Sequence, residues 1–279
     1  MGIQVQDINA FLFLLGCISF IFGALLNIRF WFSGKNTLFD ALKGIVKTIF
    51  SKQIVSVTKG FIVYLIGKRK LARSGKVRGI EKSIFIIFYV ILILVNHYYV
   101  DIIGESANIL DTIKNFFYSP YVPAYIFTIN NWENLPWIKP FFFIDNLSMV
   151  MVVFFAEIML VIRRFYEKYY TISTLQDKIL IFLPVTWLIL RIFAESASII
   201  YFNISSEYYP YMFIAYIFTS ILYPLSQIIG AYTLYVIFWI SSGVTFMILV
   251  AVWPYTKLWH AFSGSLSILI NSVEQTEND

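Results

Sequence analysis

Two histidines, His97 and His260, are the only imidazoles in 279 residues, and each stands near the end of a long apolar run. An imidazole in that position either anchors a helix end at a polar interface or ligates a metal, above all the iron of a haem. Arg191 and Glu195 lie four apart inside another apolar run, so they share one helical face and can pair as ions. A charged group within a bilayer is costly and faces the bundle interior or a partner. The pair therefore reads either as structural or, together with Glu157, as part of a proton path. The remaining chemical inventory is thin: no glycine-rich phosphate loop, no usable Ser/His/Asp spacing and no carboxylate and histidine cluster for zinc or di-iron. Cys17 is the single cysteine, which excludes a disulfide framework, a thiolate zinc site and an iron–sulfur cluster ligated by this chain alone.

The elements that must position these residues are helices in lipid. Hydrophobic residues make up 59% of the chain and charged ones 13%, with a mean hydropathy of +0.75, more apolar surface than a soluble domain can hide. Unbroken apolar runs replace the periodicity of soluble helices or strands, and only helices and closed barrels satisfy their backbone in lipid. The fold class expected is an all-α integral membrane protein, a single bundle of about five transmembrane helices with interfacial amphipathic helices. The spans fall at 8–32, 83–103, 142–162, 179–202 and 231–253, each close to the ~20 residues a hydrocarbon core requires. No basic stretch precedes the first run and no small-residue cleavage site follows it, so it reads as a retained helix.

Orientation follows from lysine and arginine. The loop 33–82 carries twelve basic residues against Asp40 and Glu81, which places it in the cytoplasm. Segments 104–141 and 203–230 are then extracytoplasmic, the sequon at Asn203 among them. The chain is expected to be a multi-pass protein of the cell membrane, its N-terminus outside and its C-terminus cytoplasmic. Within the loop, residues 41–66 mix lysines with apolar residues and read as an interfacial helix, its basic face resting on anionic headgroups or docking a soluble subunit. Residues 209–229 are apolar enough to span, yet contain Pro210 and Pro224. Five crossings require them to stay on the outer side. Tyr98, Tyr99, Trp132, Trp137 and Tyr208 to Tyr211 read as an outer aromatic belt. The high isoelectric point reflects the cytoplasmic loop and implies no nucleic-acid partner.

Four stretches carry a resemblance. The last apolar helix ends Trp253-Pro254-Tyr255-Thr256-Lys257-Leu258-Trp259-His260-Ala261-Phe262-Ser263. Asn96-His97-Tyr98-Tyr99 sits late in the second span, Arg163-Arg164 precedes Asp177, and Gly75 and Arg78 belong to a basic run before the second span. The chain resembles the cytochrome b membrane subunits typified by the respiratory nitrate reductase gamma subunit and the heterodisulfide reductase membrane subunit. That resemblance implies His97 and His260 as axial ligands of haem b, with Arg29, Arg163 and Arg164 as propionate contacts. It implies quinone as substrate, with Glu157, Arg191 and Glu195 on a quinone or proton path. It also implies a role as electron-transfer and anchor subunit of a multi-subunit respiratory oxidoreductase whose partner carries iron–sulfur clusters.

The departure is as clear as the match. The family usually holds four histidine ligands, and their missing counterparts fall near Ile87 and Ser242, neither of which can ligate iron. In a five-span topology His97 and His260 lie in opposite leaflets, ~25–30 Å apart, so one iron cannot reach both. Three outcomes follow: haems completed by another donor, one surviving haem, or a haemless anchor. Retention of histidine at both matched positions favours at least one haem b. The runner-up is a structural anchor or assembly subunit of a respiratory membrane complex; a solute transporter fits less well, since internal repeats are absent.

Overall fold

The computed structural model describes residues 4–31, 76–103, 109–166 and 175–255, and among these every regular element is a helix. The long helices are α1 (Val5–Trp31), α2 (Lys76–Ile103), α5 (Ile138–Tyr166), α6 (Leu175–Tyr201) and α8 (Ala231–Val252). Two shorter ones, α3 (Ile109–Tyr118) and α4 (Val122–Ile126), join α2 to α5, and α7 (Phe213–Ile229) precedes α8. Three segments are long and apolar enough to cross a bilayer: Val5–Leu26, Phe182–Tyr201 and Ala231–Tyr255. Ile87–Ile103 and Phe213–Ile229 are shorter apolar helices. Phe11, Ile18, Phe22, Leu94, Ile217, Ile221 and Ile228 stand exposed on the perimeter, an apolar skin that suits lipid. The whole is compatible with a membrane protein.

Contacts fix the directions of the long helices. Tyr99 of α2 stacks on Phe141 of α5 at 4.1 Å, while Leu92 packs with Met149, so these two helices are antiparallel. Phe142 packs with Ile199 at one end of the bundle and Val152 with Leu188 further down, making α5 and α6 antiparallel. Tyr201 stacks on Tyr235 at 5.2 Å and Trp187 meets Phe246 at 4.6 Å, so α8 descends against α6. Helices α1 and α8 run parallel instead: Gly243 lies against Asn9, Gly16 against Met247 and Gly23 against Tyr255. The five long helices thus alternate in direction, and the start of α1, the end of α2, the start of α5, the end of α6 and the start of α8 share one end.

Helix α7 leaves this alternation intact. Its first turn meets α5 and α6 through Asn146 and Ser196, which bond Ala215, and its last residue joins the turn that brings Tyr232 to 5.4 Å from Tyr201. Both of its ends therefore lie against the same end of α6. Pro224 removes one backbone donor from its interior, and Gly230, at φ +89, makes the joint to α8 in a region that side chains rarely enter. The α1–α8 seam is close because glycines line it. A Cβ at Gly16 would stand 3.0 Å from the Met247 carbonyl oxygen, and one at Gly243 would collide with the Asn9 amide. Small residues that let backbones approach are how helices associate where lipid removes the hydrophobic drive.

One expectation changes. Tyr98 and Trp137 are exposed as an aromatic belt requires, but Tyr99 and Tyr208 are core residues and Trp132 packs at 4.8 Å on Tyr208. The chain between α2 and α5 folds back over the bundle end, so rings that a linear reading sends to an interface are covered by it. The expected interfacial helix at 41–66 and the first part of the basic loop 33–82 lie outside the described residues.

Candidate functional site

At the middle of the bundle three helices bring five polar side chains to one place. Asn96 comes from α2, Asp145 and Asn146 from α5, Arg191 and Glu195 from α6, and each is at most 2% exposed. Long apolar helices carry them inward because the surrounding faces, Leu92, Met149, Trp187 and Leu188, are core. Arg191 Nη2 donates to Asp145 Oδ1 at 2.9 Å and Oδ2 at 3.0 Å, and to Asn96 Oδ1 at 2.9 Å. Asn96 Nδ2 donates to Asp145 Oδ1 and to the Leu92 carbonyl. On the far side Asn146 Nδ2 donates to Glu195 Oε2 at 3.0 Å, and its own carbonyl accepts the Ala215 N–H. Charge-assisted bonds of this kind are about twice as strong as neutral ones. Without them the desolvated ions would be strongly destabilising.

Arg191 and Glu195 face each other as their spacing predicts, Nε to Oε1 at 3.5 Å. That separation is an ion pair by distance, yet its direction is too poor for a hydrogen bond, and both atoms are left without a partner. The pairing is thus shared three ways, with Asp145 the closer anion. Asp145, Asn146 and Asn96 escaped the sequence reading as site residues. The signal was present, since Asp145-Asn146 interrupts an apolar run at 142–162 and a carboxylate within such a run is a functional or pairing residue by default.

A second set of buried polar atoms sits between α1, α6, α8 and the turn Ser119–Tyr121. Asn9 Nδ2 and Oδ1, the Tyr121 and Ser242 hydroxyls and Trp187 Nε1 are all buried without a hydrogen-bond partner among the described residues. Trp239, on the same face of α8, is satisfied: its Nε1 donates to Ser198 Oγ at 2.9 Å.

His97 is elsewhere. It lies near the end of α2, about a third exposed, with Nε2 3.7 Å from Asp101 and its ring edge-on to Phe116 at 6.0 Å. Its Nδ1 is buried without a partner. Among the described residues no second histidine approaches it, and no group of three or more metal-ligating side chains exists. Ile87 is exposed on α2, while Ser242 is fully buried beside the glycine that meets Asn9. The described residues therefore do not fit a bis-histidine haem. His260 lies outside them. Arg29 falls on α1 and Glu157, Arg163 and Arg164 on α5, with side chains outside the description. Glu157 is twelve residues along α5 from Asp145, ~18 Å at 1.5 Å per residue, so the helix does not bring it to the Arg191 cluster.

No family model, curated protein or solved structure matches this chain. What distinguishes it is the cluster itself: an ionic lock across three helices, bordered by polar atoms that lack partners among the described residues.

Proposed function

We propose that this chain is the membrane-embedded subunit of a multi-subunit respiratory oxidoreductase and acts in it as the anchor, crossing the bilayer five times with its basic loop 33–82 docking a soluble iron–sulfur partner. The observation that carries the anchor role is the cross-helix tie at the centre of the bundle, where Arg191 of α6 is engaged by Asp145 of α5 and Asn96 of α2. The test is isolation from native membranes in mild detergent. A soluble iron–sulfur subunit is expected to accompany the chain and to be lost when Lys68, Arg69 and Lys70 are changed together to Glu, with no haem absorbance in the chain itself. Unchanged association of the charge-reversed chain, or isolation without any partner, overturns the reading.

A second reading, a cytochrome b-like subunit passing electrons between a quinone pool and that partner, is favoured by the unpartnered buried Nδ1 of His97. In that case haem b, when bound, supplies the one-electron chemistry, and His97 and His260 would each hold a separate haem, with Arg29, Arg163 and Arg164 toward the propionates. A pyridine haemochrome count separates the two. Haem that survives purification, with His260→Ala removing one absorbance component and leaving a His97-dependent one, selects the cytochrome.

A further inference from the structure

We propose that the ionic cluster is the inner end of a buried water path that exchanges protons between the Asp145–Glu195 carboxyl pair and the end of the bundle where α1 begins. The inference needs neither haem nor a partner subunit and stands apart from the function proposed above.

The orphaned polar atoms are gathered, not scattered. Trp187, Arg191 and Glu195 are spaced four apart on one face of α6, and each presents an atom without a hydrogen bond. Across from them on α8, Trp239, Ser242, Gly243 and Phe246 share a face, and Phe246 meets the Trp187 ring at 4.6 Å. The Tyr121 ring lies 6.5 Å from Trp239 and 6.1 Å from Phe246, bracketing Ser242, and its hydroxyl is within electrostatic reach of Arg191. Asn9 presses on Gly243, the neighbour of Ser242. Asn9, Tyr121, Arg191, Glu195 and Ser242 are each 0–1% exposed. Buried polar atoms are almost always satisfied, and a site offering several donors and acceptors together is where internal water belongs.

The path has a mouth. Gln6, one turn above Asn9, is 3% exposed and has an unpartnered Oε1, while its Nε2 donates to Thr128 Oγ1 at 3.3 Å. Beside it the exposed Asp7 accepts from the Tyr118 hydroxyl at 2.6 Å at the bundle end. Gln6 and Asn9 thus form a polar stripe on an otherwise apolar α1.

The path also has a proton to carry. One guanidinium faces two carboxyl groups, Asp145 at 2.9 Å and Glu195 at 3.5 Å. A single cation offsets one carboxylate, so the second group is offset only when one of the two carboxyls carries a proton. With it the cluster is neutral. When the proton passes to water the cluster carries one net negative charge, still faced by Arg191. The groups around Glu195 are Arg191 on its own helix, Asp145 and Asn146 from α5, and Asn96 from α2 by way of Asp145. From the turn, Tyr121 is in electrostatic reach of Arg191 and of Cys17 of α1. Helix α8 meets α6 through Trp239 on Ser198 and Tyr235 on Tyr201, and α7 brings the Ala215 backbone to Asn146.

The full chain in lipid nanodiscs is treated with dicyclohexylcarbodiimide, which modifies carboxylic acids in their protonated form, and mapped by mass spectrometry from mildly acid to mildly alkaline pH. Label on Glu195 or Asp145, decreasing as pH rises, is expected. Absence of label on both at every pH, or label that ignores pH, overturns the proposal. Infrared measurement of hydrogen–deuterium exchange at the carboxyl carbonyl adds the route. Asn9→Leu with Ser242→Ala is expected to slow exchange about tenfold, one hydrogen-bonded step lost from the barrier, whereas equal rates overturn the route. Labelling uses the unaltered chain, so it decides even where the variant fails to fold.

Discussion

The polar residues of the α2–α5–α6 core and those of the α1–α8 seam are buried to the same degree, yet the two regions hold their helices by opposite means. In the core, ions and amides from three helices bond to one another, with Arg191 Nε and Glu195 Oε1 the exceptions, so polarity is the fastener. In the seam, Gly16 lets α1 approach the Met247 backbone while Gly23 and Gly243 admit the side chains of Tyr255 and Asn9, and the polar groups caught there, Asn9 and Ser242, find no partner among the described residues. Burial alone therefore says little about what a polar side chain does. A completed network ties the structure together, whereas an incomplete one marks a place where something else must enter.

The largest effect expected is from Arg191→Leu, which leaves Asp145 and Glu195 buried without their cation. Breaking a buried pair costs about 3–5 kcal/mol, read as a lower unfolding midpoint in detergent. Adding Asp145→Asn should recover part of it, and a double variant no better than the single would deny that the core is an ionic lock. Next is Gly243→Ala, which drives a methyl into the Asn9 amide and should cost about 1–3 kcal/mol. Combined with Asn9→Ala the cost should shrink, and strict additivity of the two changes would mean that they do not touch.

The comparison sharpens with a matched pair of asparagines. Asn146→Ala strips Glu195 of a donor and should cost about 1–3 kcal/mol, while Asn9→Ala removes an amide without protein partners and should fall within about 1 kcal/mol of neutral. Equal losses in the same unfolding assay would erase the distinction between the two regions. The smallest change is expected from His97→Ala, which lies at a partly exposed helix end; its midpoint should move by no more than about 0.5 kcal/mol. A large loss would show that the imidazole holds more than its ion-pair distance to Asp101 suggests.

Helix existence was readable because apolar length is a local property, and each span expected at 8–32, 83–103, 142–162, 179–202 and 231–253 falls on a long helix. Helix ends were less readable. Helix α2 begins at Lys76 and α5 at Ile138, before their apolar stretches, since a helix continues through polar residues after hydropathy has ended. Three of those helices meet the criteria of length and apolarity for crossing, and the five-fold count stays with the proposed topology. At the site, Arg191 and Glu195 were legible from their spacing on one helix. Asp145 and Asn96 were not, because what joins them to Arg191 is the way three helices pack, and no single run of residues encodes that. The orphaned Tyr121 hydroxyl was hidden for the same reason.

The parallel pairing of α1 with α8 fixes an order of assembly. Asn9 and Gly243 meet across more than two hundred residues of chain, so this junction cannot form until α8 has left the ribosome. Asn96, Asp145 and Arg191 are in place well before then. A nascent chain would first knot its interior and hold its opening helix in waiting, and only the final long helix could close the ring.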